Sequence, residues 1–156
     1  MRRAAITTLG CKINAYESAV IAKNLQDEKW AVVPSKDVAD LYIINSCTVT
    51  AEAGRKTRQE IRRAIKRNPK AIVVVTGCYA EMEPDECYQI PGVDLVINNS
   101  DKLSVLKHIK HYSKTIQPIN RSRSEKFLTS FPSRTRAFIQ IQQGCDQSCT
   151  YCVIHK

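Results

Sequence analysis

Ala71-Ile72-Val73-Val74-Val75-Thr76, closed by Gly77-Cys78, is the stretch that decides the fold. Its β-branched residues run on without the polar alternation of a strand wetted on one face, which marks a strand covered on both faces in a parallel sheet. Asn68-Pro69 before it ends a helix, and the glycine after it marks a turn. The same arrangement recurs on either side. Ala4 to Leu9 reads as a short strand ending at Gly10-Cys11, and Leu41-Tyr42-Ile43-Ile44 as a buried strand followed at once by Asn45-Ser46-Cys47. Trp30 to Val33 is a further short strand stopped by Pro34, and Val93 to Ile97 is one ended by Asn98-Asn99.

Between these strands the period changes. Asn14 is placed to cap a helix running to about Asp27, with Val20, Ala22 and Leu25 turned inward. From about Thr50 to Asn68, Ala53, Thr57, Ile61, Ala64 and Ile65 recur at helical spacing, while Arg55, Lys56, Arg58, Arg62, Arg63, Lys66 and Arg67 take the other positions. One face is core and the other is strongly basic. Glu81 to Tyr88 is expected to form a short helix, and Lys102 to His111 a last one. Strands alternating with helices across short connections predict an α/β fold, a mainly parallel open sheet with flanking helices, filling residues 1–112. Residues 113–136, polar and basic with Pro118 and Pro132, read as a linker. Ala137 to Gln142 resumes a strand-like run, so residues 137–156 are expected to open a second domain.

A chain of 156 residues with 43% hydrophobic content can bury one ordinary core. The formal charge of +9, from 24 Lys and Arg against 15 Asp and Glu, favours polyanionic partners such as RNA, DNA or anionic lipid. No window approaches the roughly 20 apolar residues of a membrane span. The apolar run after Arg2-Arg3 is too short for a secretory signal and carries two threonines. A cytoplasmic protein without a membrane partner is the expectation. Seven cysteines, an odd number, argue against a fully paired disulfide framework and for metal or redox use.

The cysteines fall into two constellations. Cys11, Cys47 and Cys78 are far apart in sequence, yet each lies just beyond the C-terminal end of an expected strand. In a parallel sheet those ends share one edge, where open α/β folds place their ligands, so the spacing predicts convergence in space. The plainer reading makes each a small buried hydrophobe, as Cys87, which has no such placement, is expected to be. Cys145, Cys149 and Cys152 form a Cys-x3-Cys-x2-Cys loop. Three thiolates on one loop leave one corner of a four-ligand metal centre open. Half of a zinc site completed by His155, or a redox pair of Cys149 and Cys152, are the alternatives.

Cys145-x3-Cys149-x-Tyr151-Cys152 resembles the radical S-adenosylmethionine signature, in which three thiolates hold a 4Fe-4S cluster and S-adenosylmethionine occupies the fourth iron. Thr8-Leu9-Gly10-Cys11-Lys12-Ile13-Asn14, Asn45-Ser46-Cys47-Thr48-Val49-Thr50 and Val75-Thr76-Gly77-Cys78-Tyr79-Ala80 resemble, in order, the three blocks of the methylthiotransferase amino-terminal domain, whose separated cysteines hold an auxiliary 4Fe-4S cluster. Leu9-Gly10-Cys11-Lys12 with Arg134-Thr135-Arg136-Ala137-Phe138-Ile139 is most similar to the branch that modifies threonylcarbamoyladenosine beside the tRNA anticodon.

The resemblance implies two 4Fe-4S clusters, S-adenosyl-L-methionine, tRNA and an electron donor as cofactors and partners, with Tyr151 near the bound S-adenosylmethionine. It implies no catalytic side chains beyond the cluster ligands. An adenine C–H bond is not activated toward acid, base or nucleophile, so the cofactor must supply a radical. One S-adenosylmethionine would methylate a sulfur on the auxiliary cluster, and a second would be cleaved reductively to the deoxyadenosyl radical that removes the hydrogen. The family continues into a barrel and an RNA-binding domain beyond the third cysteine of the loop, so these residues alone are expected to be inactive. Arg55, Arg58, Arg62, Arg63, Lys66 and Arg67 are the candidates for steering RNA phosphates, against the reading of a merely solvated helix face. The competing function is a non-catalytic basic α/β RNA-binding module with a zinc-stabilised C-terminal tail.

Overall fold

The computed structural model describes residues 1–47, 50–112, 141–142 and 145–150. The stretch read first forms β4 (Ile72–Gly77), whose residues from Val73 onward are all buried. It pairs in parallel with β3 (Leu41–Ser46), which is buried along its whole length, over Leu41↔Ile72 through Ser46↔Gly77. β1 (Arg3–Thr8) lies on the other side of β3, β2 (Ala31–Val33) beyond β1, and β5 (Leu95–Val96) beyond β4. The order β2-β1-β3-β4-β5, all parallel, is the flavodoxin-like doubly wound arrangement. The α/β expectation holds.

Strand periodicity sorts the core into two layers. Leu41, Ile43 and Val74 pack with Ile21, Leu25, Val105 and Ile109 from α1 (Lys12–Asp27) and α5 (Val105–Tyr112). Tyr42, Ile44, Val73 and Val75 pack on the opposite face with Ile61 and Ala64 of α2 (Ala51–Arg67), Tyr79 of α3 (Cys78–Met82) and Cys87 of α4 (Pro84–Tyr88). Thr50 caps α2, its hydroxyl accepting from the Ala53 amide at 3.1 Å, a contact that stabilises a helix by about 1 kcal/mol. Glu52 in the first turn and Lys66 and Arg67 in the last complement the helix dipole. Gly54 lets α2 approach the Tyr79 ring, which would stand 3.2 Å from a β-carbon there.

The structure redraws several boundaries. Helix α1 opens with Cys11 at its N-cap, so Asn14 lies inside the helix and is buried rather than capping it. Ala22, Ala53 and Ile65 are half-buried; Ile21 takes the core position beside Val20 and Leu25. The single helix expected over Glu81–Tyr88 is two short ones joined at Glu83 (φ −132°, ψ 56°), because the proline ring of Pro84 disfavours helical backbone in the residue before it. Lys102–Ser104 form a 3-10 turn ahead of α5. The linker expected over residues 113–136 and the start of the strand at Ala137 lie outside the described residues, and Ile141 and Gln142 are in no strand.

Candidate metal centre

In this strand order the direction of winding reverses between β1 and β3, and the C-terminal edge at such a switch point is a natural crevice. Cys11 and Cys47 flank it, one at the start of α1 and one immediately after β3; Cys78 follows β4, next along the edge. Pairing of β1 with β3 continues one step past the strand, the Leu9 amide donating to the Asn45 carbonyl at 2.9 Å, which brings Gly10-Cys11 beside Asn45-Ser46-Cys47. Gly10 (φ +96°) is required there: a β-carbon would stand 2.7 Å from both Cβ and Sγ of Cys47. All three cysteines are free thiols; Cys11 is exposed, Cys78 half-buried and Cys47 buried.

Buried amides and hydroxyls tie the three loops together. Asn14 Nδ2 donates to the carbonyls of Leu9 (2.7 Å) and Ser46 (2.9 Å), joining the Cys11 loop to the Cys47 loop. Asn45 Nδ2 donates in return to the Asn14 carbonyl and to Ser18 Oγ, each at 3.0 Å. The Ser46 hydroxyl donates to the Thr76 carbonyl and accepts from the amides of Tyr79 (3.2 Å) and Ala80 (3.3 Å), joining Cys47 to the Cys78 turn. Thr57 of α2 donates to the Cys47 carbonyl at 3.3 Å. Asn45 Oδ1 and Thr76 Oγ1, on strand neighbours in register, are buried without a partner among the described residues.

Electrostatics links the same groups. Burial pushes the Cys78 thiol above its ordinary value, the Lys102 ammonium pulls it back, and Cys47, Cys11 and Glu17 each push it up further. Lys102 Nζ is itself held by Glu17 Oε2 at 2.7 Å, both side chains nearly inaccessible. Cys87, by contrast, is fully buried and its thiol is pushed up to about 11, chiefly by desolvation, which makes it an inert packing group.

Among the described residues no three His, Cys, Asp or Glu side chains gather as ligands of one metal ion. A four-iron cluster asks for a different arrangement, since its thiolates bind separate irons at the corners of a cube, whereas a structural zinc draws four ligands to one atom. Three soft thiols on adjacent loops are the kind of donor set such a cluster takes. In the second constellation Cys145 is half-buried and Cys149 exposed, within residues 145–150 that form no helix or strand; Tyr151 and Cys152 lie outside the described residues.

The six basic candidates on α2 separate by their partners. Arg58 donates to the Tyr79 hydroxyl (2.7 Å) and to Glu86 (3.3 Å), and Arg67 donates to the Ser35 carbonyl (2.8 Å) while lying over the Tyr42 ring. These two brace the fold. Arg55 and Arg63 pair with Glu52 and Glu60 along the helix, at exposed positions where such pairs are weak. Arg62 and Lys66 are exposed with no ion pair among the described residues.

The family model described as uncharacterized protein family UPF0004 matches residues 3–98, the stretch that holds all five strands and the three strand-end cysteines. The chain belongs to the UPF0004 family. This is the amino-terminal domain of methylthiotransferases of the MiaB and MtaB type. A threonylcarbamoyladenosine tRNA methylthiotransferase MtaB of Bacillus subtilis is 41% identical over 162 residues, covering 99% of this chain and 36% of the relative. The protein of the same description from Aquifex aeolicus is 38% identical, covering 97% and 39%. A tRNA-2-methylthio-N(6)-dimethylallyladenosine synthase of Desulfotalea psychrophila is 32% identical, covering 96% and 36%. The chain thus spans little more than a third of the length of the curated relatives it matches. No helix among the described residues is long and apolar enough to cross a membrane.

Sequence reasoning missed Glu17, Lys102 and the bracing roles of Asn14 and Ser46. For Asn45-Ser46 a signal existed, since two polar residues close an otherwise apolar buried strand. For Lys102 there was none, because a single lysine in a polar stretch does not announce a carboxylate 85 positions away.

Proposed function

We propose that this UPF0004 chain is the amino-terminal part of a cytoplasmic tRNA methylthiotransferase that places a methylthio group on threonylcarbamoyladenosine beside the anticodon. The observation that carries this reading is the arrival of Cys11, Cys47 and Cys78 on neighbouring loops at the switch-point edge. The relatives, tRNA methylthiotransferases, supply the substrate class. Cys11, Cys47 and Cys78 would hold the auxiliary 4Fe-4S cluster, and Cys145, Cys149 and Cys152 the one that takes S-adenosyl-L-methionine, with Tyr151 beside it. When bound, these groups, fed by an electron donor, supply the radical and sulfur chemistry that no side chain here can perform.

The chain's own residues do the holding. Asn14, Asn45 and Ser46 fix the three cysteine-bearing loops in one arrangement, which lowers the loop entropy lost when the thiols take up a common group. Burial of Cys47 keeps water from that side of the site, while exposed Cys11 leaves the outer side open to a large substrate. Iron with acid-labile sulfide, bound by the anaerobically reconstituted chain, is the expected result of metal analysis. Zinc without sulfide would reject the enzyme reading in favour of a zinc-stabilised RNA-binding module.

For the tRNA, the exposed Arg62, Arg63 and Lys66 are the α2 groups to reverse, since Arg58 and Arg67 also support the fold. Changing all three to Glu is expected to weaken tRNA binding at least tenfold at low salt and to reduce the salt slope by about 2, near the 0.7–0.9 per phosphate contact of counterion release. Filter binding across a salt series measures both. An unchanged slope removes α2 from the RNA interface.

A further inference from the structure

Asn45 and Thr76, near the ends of β3 and β4, are partners in register, and both are fully buried. Counting by twos from Ile43 and Val74, which pack with α1 and α5, places both side chains on that one face of the sheet. Asn45 bears this out, since its Nδ2 donates to the Asn14 carbonyl and to Ser18 Oγ of α1. Neighbouring strands lie about 4.8 Å apart, so the two side chains stand next to each other. Yet no hydrogen bond joins them. Asn45 Oδ1 and Thr76 Oγ1 are both inaccessible and without a partner among the described residues.

The Asn45 amide is held in one orientation. Turning it over would set Oδ1 against the Asn14 carbonyl, acceptor against acceptor, so the oxygen is kept away from α1. It reaches instead toward β4, where a β-carbon on Gly77, the residue after Thr76, would stand 2.7 Å from it. An acceptor and a hydroxyl therefore share one interval between the two central strands. Polar groups buried this completely are almost always bonded, to protein or to ordered water.

The chemistry of the pair selects the ligand. A divalent cation takes six or more oxygens, and two neutral ones are too few to replace its hydration. An anion would meet Oδ1, which only accepts. Water suits both groups, because it can donate to the amide oxygen and either accept from the hydroxyl or donate to it.

We propose that one internal water molecule is held between β3 and β4, donating to Asn45 Oδ1 and bonded to Thr76 Oγ1. Each of these residues precedes a cysteine of the candidate centre by two positions, so the water braces the strand ends from which Cys47 and Cys78 leave. It needs no metal in the site and stands whichever metal, if any, the chain takes up.

The test uses the unloaded 156-residue chain. Oxygen-17 magnetic relaxation dispersion counts the water molecules that stay inside the protein longer than it takes to tumble. Thr76→Val removes the hydroxyl while nearly keeping the shape, and is expected to lower that count by one. Thr76→Ser keeps the hydroxyl and is expected to leave the count unchanged. A crystal structure of the unaltered chain is expected to show water density about 2.7–3.2 Å from both oxygens. It decides the matter alone if the valine variant does not fold. Equal counts in the parent and the valine variant, the same loss in the serine variant, or a crystal structure in which Oδ1 and Oγ1 bond directly to each other would each overturn the proposal.

Discussion

Alanine at Cys11, Cys47 and Cys78 together, in a chain whose Cys145, Cys149 and Cys152 are already alanine, is expected to reduce bound iron and acid-labile sulfide to background after anaerobic reconstitution. Each single replacement is expected to lose most of the iron as well, because two thiolates are poor anchors for a four-iron cluster. The loss should not come from unfolding. Cys11 is exposed and Cys78 half-buried, so their replacement falls within the small stability effects of positions outside the core, whereas buried Cys47 is expected to cost more. Far-ultraviolet circular dichroism and a thermal melt of each unloaded variant check this. Cys87→Ala is the internal control: its thiol is fully buried in the layer between the sheet and α4 and is expected to leave the iron content unchanged. Iron retained by the triple variant would mean that it is held elsewhere, and the site would be lost with it.

The second large effect concerns the backbone. Gly77→Ala is expected to destabilise the fold by about 3–5 kcal/mol, combining a left-handed backbone with a collision that cannot relax. Gly77 has φ +93°, and a β-carbon there would meet the Ser46 carbonyl, the Ser46 amide nitrogen at 2.6 Å and Asn45 Oδ1 at 2.7 Å. Those atoms belong to the fully buried central strand. Gly92→Ala separates the two causes, since Gly92 has nearly the same φ, +97°, but the nearest atoms its β-carbon would meet belong to the Ile65 side chain, at 2.9 Å. A flexible side chain can shift, so a loss of about 1–2 kcal/mol is expected there. Urea unfolding of the two variants measures the difference. Equal losses would show that the backbone angle, and not the packing of the Cys78 turn on β3, sets the requirement.

The places of Cys11, Cys47 and Cys78 at strand ends were legible in the sequence, and the groups around them were not. Strands β3 and β4 could be read because both faces are buried, which forces continuous β-branched or aliphatic runs, and the cysteines following each strand mark the same sheet edge. Parallel pairing turns sequence position at a strand end into spatial position, so convergence needed no contact information. The support beneath the cysteines obeys no such local rule. Asn14 reads as a cap because a short polar side chain near a helix start usually is one, yet its amide is used to bridge two loops. The break at Glu83 was signalled by Pro84, but the helix on each side is too short to leave a periodic pattern. The α2 face shows the converse. Its charges are plain in the sequence, whereas which of them are occupied by the protein depends on Tyr79, Ser35 and Tyr42, which arrive from other elements.

The contact between Glu17 and Lys102 joins positions 85 apart and so fixes when the site is finished during synthesis of the chain. The three thiols and both bracing asparagine amides are made before Lys102, yet their buried charge balance waits for it. Once the chain has passed α5, every group argued to build the centre has been made. With translation at about 5–20 residues per second, residues 1–112 are synthesised within seconds and can fold as a unit before whatever follows them.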